Sequence, residues 1–89
     1  MSYSKKVFYT YILKSQKDDS FYIGHTSDIV SRIEHHNAGL SKYTSKKIPW
    51  VLVYSESFDT RKEAATRERF LKKQRNRAFY QRLIDSAGQ

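Results

Sequence analysis

Read with a period of two, residues 7–13 (Val-Phe-Tyr-Thr-Tyr-Ile-Leu) are β-branched, aromatic or aliphatic on both alternating sets. Such a run predicts a strand covered on both of its faces rather than one with a wet side. A chain of 89 residues has room for one core. The remaining segments must therefore supply a layer on each side of this strand. At seven residues and studded with tyrosine, the run is too short for a signal-peptide core or a membrane span. The residues before it, 1–6, are polar and basic.

The rest of the chain divides accordingly. Residues 16–20 are polar and predict a turn, and residues 21–24 a second strand, which makes a hairpin. Ser27 or Asp28 is placed to cap a helix over about 29–38, with Gly39 where a left-handed C-terminal cap is wanted. Residues 40–49 are polar and basic and end at Pro49, so they predict a loop before a third strand over 50–54. Thr60 and Glu63 form the capping-box pattern at the start of a helix to about Gln74. A last helix over about 77–85 should bury Phe79, Leu83 and Ile84. The expected fold is α/β (α+β), one domain over residues 1–89 with its core in 7–74. It is a three-stranded antiparallel-type sheet flanked by helices, in the order β-β-α-β-α-α.

Seventeen Lys and Arg against nine Asp and Glu leave a formal charge of +8. Solubility needs charges of both signs but not this imbalance, so a polyanionic partner is indicated. A merely soluble basic domain is the plain alternative. An anionic membrane surface fits less well, because no basic helix with a Trp/Leu face stands out. Nine of the cations fall within residues 60–82, with only Glu63 and Glu68 among them. The absence of cysteine excludes disulfides and thiolate metal sites and is consistent with a cytoplasmic setting.

Against that background the two carboxylates need separate reasons. Glu63 is accounted for by the capping box. Glu68 falls on the same helical stripe as Ala64 and Leu71, facing the sheet. A carboxylate there requires a partner, either an ion pair to a neighbouring arginine or a role as metal ligand or general base. On the preceding helix Ile29, Ile33 and His36 share a face, with Arg32 one turn before His36. A histidine on such a stripe is commonly a satisfied core residue, whereas an Arg–His stack near a sheet edge suits an anion. His35 points elsewhere, towards solvent. Tyr9, Tyr11 and Tyr22 lie on the expected hairpin, Tyr9 and Tyr11 on one face. They serve as amphipathic packing, or their phenols orient a water or a phosphate. A tyrosine with its ordinary pKa of about 10 is a poor base unassisted.

Together these residues resemble the GIY-YIG nuclease superfamily. The first motif is Tyr9-Thr10-Tyr11 and the second Tyr22-Ile23-Gly24. Arg32 follows, and Arg32-Ile-Glu-His-His36-Asn-Ala-Gly39 is similar to the corresponding run of the small single-domain branch. Thr44, Pro49, Leu52-Val53-Tyr54, Glu63-Ala64, Arg67-Glu68 and Leu71-Lys72 continue the likeness over about residues 7–74. The resemblance implies a β-β-α-β-α core and one-metal phosphodiester hydrolysis. Tyr11 would be the general base or orient the attacking water, Tyr22 would bond the water or the phosphate, and Arg32 would stabilise phosphoryl charge. His36 would contact phosphate or the leaving group, and Glu68 would hold a single Mg²⁺ or Mn²⁺. Tyr9, Thr10, Ile23, Gly24 and Gly39 would be structural. His25 stands where some relatives carry a lysine that helps to deprotonate the tyrosine.

The expected partner is nucleic acid, DNA rather than RNA, gripped by Lys42, Lys46, Lys47, Arg67, Lys72, Lys73 and Arg75. A protein partner for targeting is compatible with this, no membrane association is expected, and a monomer is the default. Two rivals share the same residues. One is a nucleic-acid-binding module with negligible turnover. The other is a protein-interaction domain whose basic helix meets an acidic surface.

Overall fold

A computed structural model of the chain describes residues 5–87. The first four residues of the basic N-terminal stretch lie outside it. Strand β1 (Phe8–Ser15) is central, with β2 (Phe21–Thr26) on one side and β3 (Trp50–Phe58) on the other, both antiparallel to it. Helix α1 (Ile29–Asn37) follows β2, and α2 (Arg61–Gln74) and α3 (Arg77–Ala87) follow β3. The order is the one expected, β-β-α-β-α-α. Among the described residues no helix is long and apolar enough to cross a membrane.

The doubly apolar run is explained by what covers it. Ile12 packs with Ile23, Tyr54, Leu71 of α2 and Tyr80 of α3. Tyr11 and Leu13 point the other way and pack with Trp50, Tyr22 and Ile33 of α1. Residues 10 to 13 are thus all buried. Two layers of cover on one strand are what a small chain needs to bury enough apolar area.

Local signals set most element ends. The Asp28 carboxylate, rather than Ser27, accepts the Ser31 amide and starts α1. Gly39, at φ +78°, ends it. Both halves of the capping box are present on Thr60 and Glu63. Where local pattern stopped short, pairing carried on. β2 reaches Thr26 because Thr26 pairs with Tyr9, and β3 reaches Phe58 because Phe58 pairs with Phe8. A bulge between Ile12 and Leu13 passes over Val53 and shifts the β3 register. The 40–49 loop contains a 3₁₀ turn, Thr44–Lys47. On α3 the buried residue is Tyr80, whose hydroxyl donates to the Leu71 carbonyl at 2.6 Å, while Phe79, Leu83 and Ile84 are half-buried around it.

Candidate active site

The site is organised by a missing side chain. Tyr11 and Gly24 are direct cross-strand partners, so the Tyr11 ring lies over the bare Gly24 backbone. A Cβ on Gly24 would sit 2.6 Å from the Tyr11 hydroxyl oxygen. Glycine here lets the phenol reach across the edge strand towards α1. Its hydroxyl arrives 3.4 Å from His36 Nε2, and His36 Nδ1 lies 2.8 Å from the Thr44 hydroxyl. Burial pushes the Tyr11 phenol up to about 12, although the Arg32 guanidinium beside it pulls the other way. Burial, then the charges of Arg32 and His35, hold His36 below its ordinary value. At neutral pH the pair is therefore a neutral phenol and a neutral imidazole.

His36 is 0 % exposed and engaged at both nitrogens. Its ring is enclosed by protein, as that of Tyr11 also is. Its Nε2 faces the Tyr11 hydroxyl. Tyr22 packs its ring 4.8 Å from His36 and 6.4 Å from Tyr11. Of the two tyrosines on β1, Tyr11 is the one it meets. Arg32 is exposed, one turn before His36. Tyr9 is half-buried, Thr10 donates to the Ala64 carbonyl at 2.7 Å, and Ile23 is core.

Glu68 occupies the α2 stripe with Ala64 and Leu71, as its helical phase required. Its side chain is 17 % exposed. The partner is not an arginine. His25 Nδ1 lies 2.6 Å from one carboxylate oxygen and Lys72 Nζ 2.6 Å from the other. Burial alone would raise this carboxyl, but the hydrogen bonds from Lys72 and His25 outweigh it and hold the group below its usual range. The carboxylate is ionised, and its charge is felt at Tyr11. His25 shares its sheet face with Thr10, opposite the face of Tyr11 and Tyr22. It anchors Glu68 rather than approaching the phenol.

Among the described residues no group of three or more His, Cys, Asp or Glu gathers for a metal. A hard cation would have Glu68 alone, with water and substrate oxygens completing its shell. Glu68 fits that role, since it is an ionised oxygen donor and one of its oxygens is held only by a half-exposed, flexible lysine.

The expected basic residues separate into groups. Lys42, Lys46 and Lys47 line one cleft beside Tyr43. Lys47 is tied to Asp18 at 2.6 Å, whereas Lys42 and Lys46 are exposed. Lys72, Lys73 and Arg75 are exposed towards the end of α2. Arg67 is the exception and a correction. It turns to β3, pairs with Glu56 at 3.0 Å and stacks on Phe70, so it braces the sheet. Sequence reasoning missed three contributors: Thr44 as the partner of His36, Tyr43, and Lys72 as the partner of Glu68. For Lys72 the signal was present, because an i, i+4 acid–base pair is legible in sequence.

The chain belongs to the GIY-YIG catalytic-domain family, whose model matches residues 7–82. Its relatives include several UPF0213 proteins. It is 49 % identical to the UPF0213 protein SH2523 of Staphylococcus haemolyticus, over 67 % of this chain and 73 % of that one. It is 40 % identical to a UPF0213 protein of Pediococcus pentosaceus, over 91 % and 84 %. The solution NMR structure of the UPF0213 protein BH0048 of Bacillus halodurans superimposes with a TM-score of 0.53 at 34 % identity, covering 89 % of this chain and 83 % of that one.

Proposed function

We propose that the chain is a divalent-metal-dependent nucleic-acid phosphodiesterase acting on DNA in the cytoplasm. The observation that carries this is the placement of the Tyr11 hydroxyl over Gly24, 3.4 Å from Nε2 of His36 on the helix that also presents exposed Arg32. Fold alone would not license an activity.

A phenol raised to about 12 is protonated at pH 7, so Tyr11 does not act as a preformed phenolate. In the tautomer whose Nδ1–H donates to Thr44, His36 Nε2 is the acceptor. Tyr11 then takes a proton from the attacking water as it passes its own to Nε2. His36 is suited to this because its depressed pKa keeps it neutral. Arg32, exposed beside the hydroxyl, stabilises the negative charge that builds on the phosphoryl oxygens. Tyr22, its ring 6.4 Å from that of Tyr11, orients the water or a phosphate oxygen. Glu68 would hold Mg²⁺ or Mn²⁺ after Lys72 swings off its second oxygen, and His25 would keep the carboxylate aimed. When bound, such an ion supplies Lewis-acid polarisation of the phosphate.

The rival binding module has one observation in its favour, since both Glu68 oxygens are occupied by internal cationic or hydrogen-bonding groups. A cleavage panel separates the two readings. Labelled linear, nicked, flapped and branched DNA and RNA would be incubated with Mg²⁺ or Mn²⁺ and wild type, Glu68→Gln or Arg32→Ala. Cutting by wild type with a loss of roughly 100- to 1,000-fold in each variant supports the enzyme. Salt-sensitive binding with no cutting under any metal would establish the binding module in its place.

A further inference from the structure

One exposed aromatic is not used by this mechanism. Tyr43 is 59 % exposed, yet its ring lies 6.4 Å from that of Tyr22, which in turn is 6.4 Å from Tyr11. Three phenols thus step outwards from the buried hydroxyl to the surface. Tyr43 shares an open cleft of about 510 Å³ with Lys42, Lys46 and Lys47. The cleft is lined by the ring and the three lysines, and the Lys47 ammonium, held by Asp18, lies 6.0 Å from the ring centroid.

The platform is also firmly mounted. The next residue, Thr44, is fully buried, its hydroxyl bonded to His36 and its carbonyl accepting from the Trp50 indole. An exposed ring on an anchored turn loses little freedom when something flat lands on it.

We propose that Tyr43 is a stacking platform for one unpaired nucleobase close to the phosphate that is cut, with Lys42 and Lys46 taking the flanking phosphates. This deepens, and rests on, the phosphodiesterase reading above. The chemistry that fits is an apolar π-face beside anionic groups, which a single strand offers base by base. In a duplex each base is already stacked and paired, so it presents only phosphates to this cleft. The site therefore selects strands with an unpaired base, such as a single strand or a flap.

The test is binding without cleavage, by fluorescence anisotropy in EDTA. A labelled single strand and the blunt duplex of the same sequence would be titrated with wild type, Tyr43→Ala and Tyr43→Trp. Thermal melts would confirm folding, which an exposed position should spare. The expected result is roughly tenfold weaker binding of the single strand by Tyr43→Ala, with the duplex changed by less than about twofold and Tyr43→Trp close to wild type. Equal weakening on both ligands, or none on either, would overturn the platform while leaving the phosphodiesterase reading intact. Binding of neither ligand by wild type would remove that reading and the platform with it.

Discussion

The two faces of the central strand are built on different terms. On the α2–α3 face Ile12, Ile23, Tyr54, Leu71 and Tyr80 interlock, and the one deeply buried hydroxyl of that set, on Tyr80, is bonded to the Leu71 carbonyl. On the α1 face Tyr11, Leu13 and Trp50 pack around buried polar groups, His36 and Thr44, linked in a hydrogen-bonded chain. The first face is chiefly packing, and it also carries Thr10, bonded to the Ala64 carbonyl, and the His25–Glu68 pair. The second buries a phenol and an imidazole, with the Tyr11 hydroxyl 3.4 Å from His36 Nε2. Buried polar groups are tolerated only when partnered, and on the second face the partners are linked into one chain. Glu68 belongs to the first face by its helix and is held there by His25 of β2.

Breaking the packing face should have the largest effect. Leu71→Ala opens a cavity in a fully buried site and should cost about 2–5 kcal/mol in a urea melt. Cleavage per folded molecule should stay near wild type. A change of rate without loss of stability would mean the two faces are not separable in this way.

Next comes Gly24→Ala, which places a methyl 2.6 Å from the Tyr11 oxygen. The ring must move, and a misplacement of this kind costs on the order of 100-fold in rate. Nucleic-acid affinity should persist, because the exposed cations are untouched. Unaltered turnover would show that the position of the Tyr11 hydroxyl is not critical.

The smallest effect concerns pH. His36 is held below its ordinary value near 6.5 by burial and by Arg32 and His35. The unfolded chain therefore takes up this proton first. The stability tied to neutral His36 is fully present above about pH 6.5 and is lost as pH falls through that value towards the depressed one. The urea midpoint should drop between pH 7 and 5, and less so in His36→Gln. Parallel slopes in the two proteins would remove His36 as the cause.

The sequence showed more of the fold than of the site's wiring. The doubly covered strand, the capping box and the phase that turns Glu68 to the sheet are local patterns, so they were legible. The bulge that passes over Val53 and the extension of β3 to Phe58 depend on a partner strand far along the chain. Tyr80 was overlooked in favour of Phe79 because a phenol buried by one carbonyl looks amphipathic in sequence. His36 sat on the right face, but its use of both nitrogens depends on where a 3₁₀ turn puts Thr44. Arg67 looked like one more cation until β3 brought Glu56 beside it.

A matched pair of hydroxyl deletions tests the central claim most directly, with single-turnover cleavage and thermal melting measured on Tyr11→Phe and Tyr80→Phe. Tyr80→Phe should lose about 0.5–1.5 kcal/mol of stability with its carbonyl bond and cut at the wild-type rate. Tyr11→Phe should keep its fold and lose at least about 100-fold in rate. Wild-type cutting by Tyr11→Phe would contradict the account.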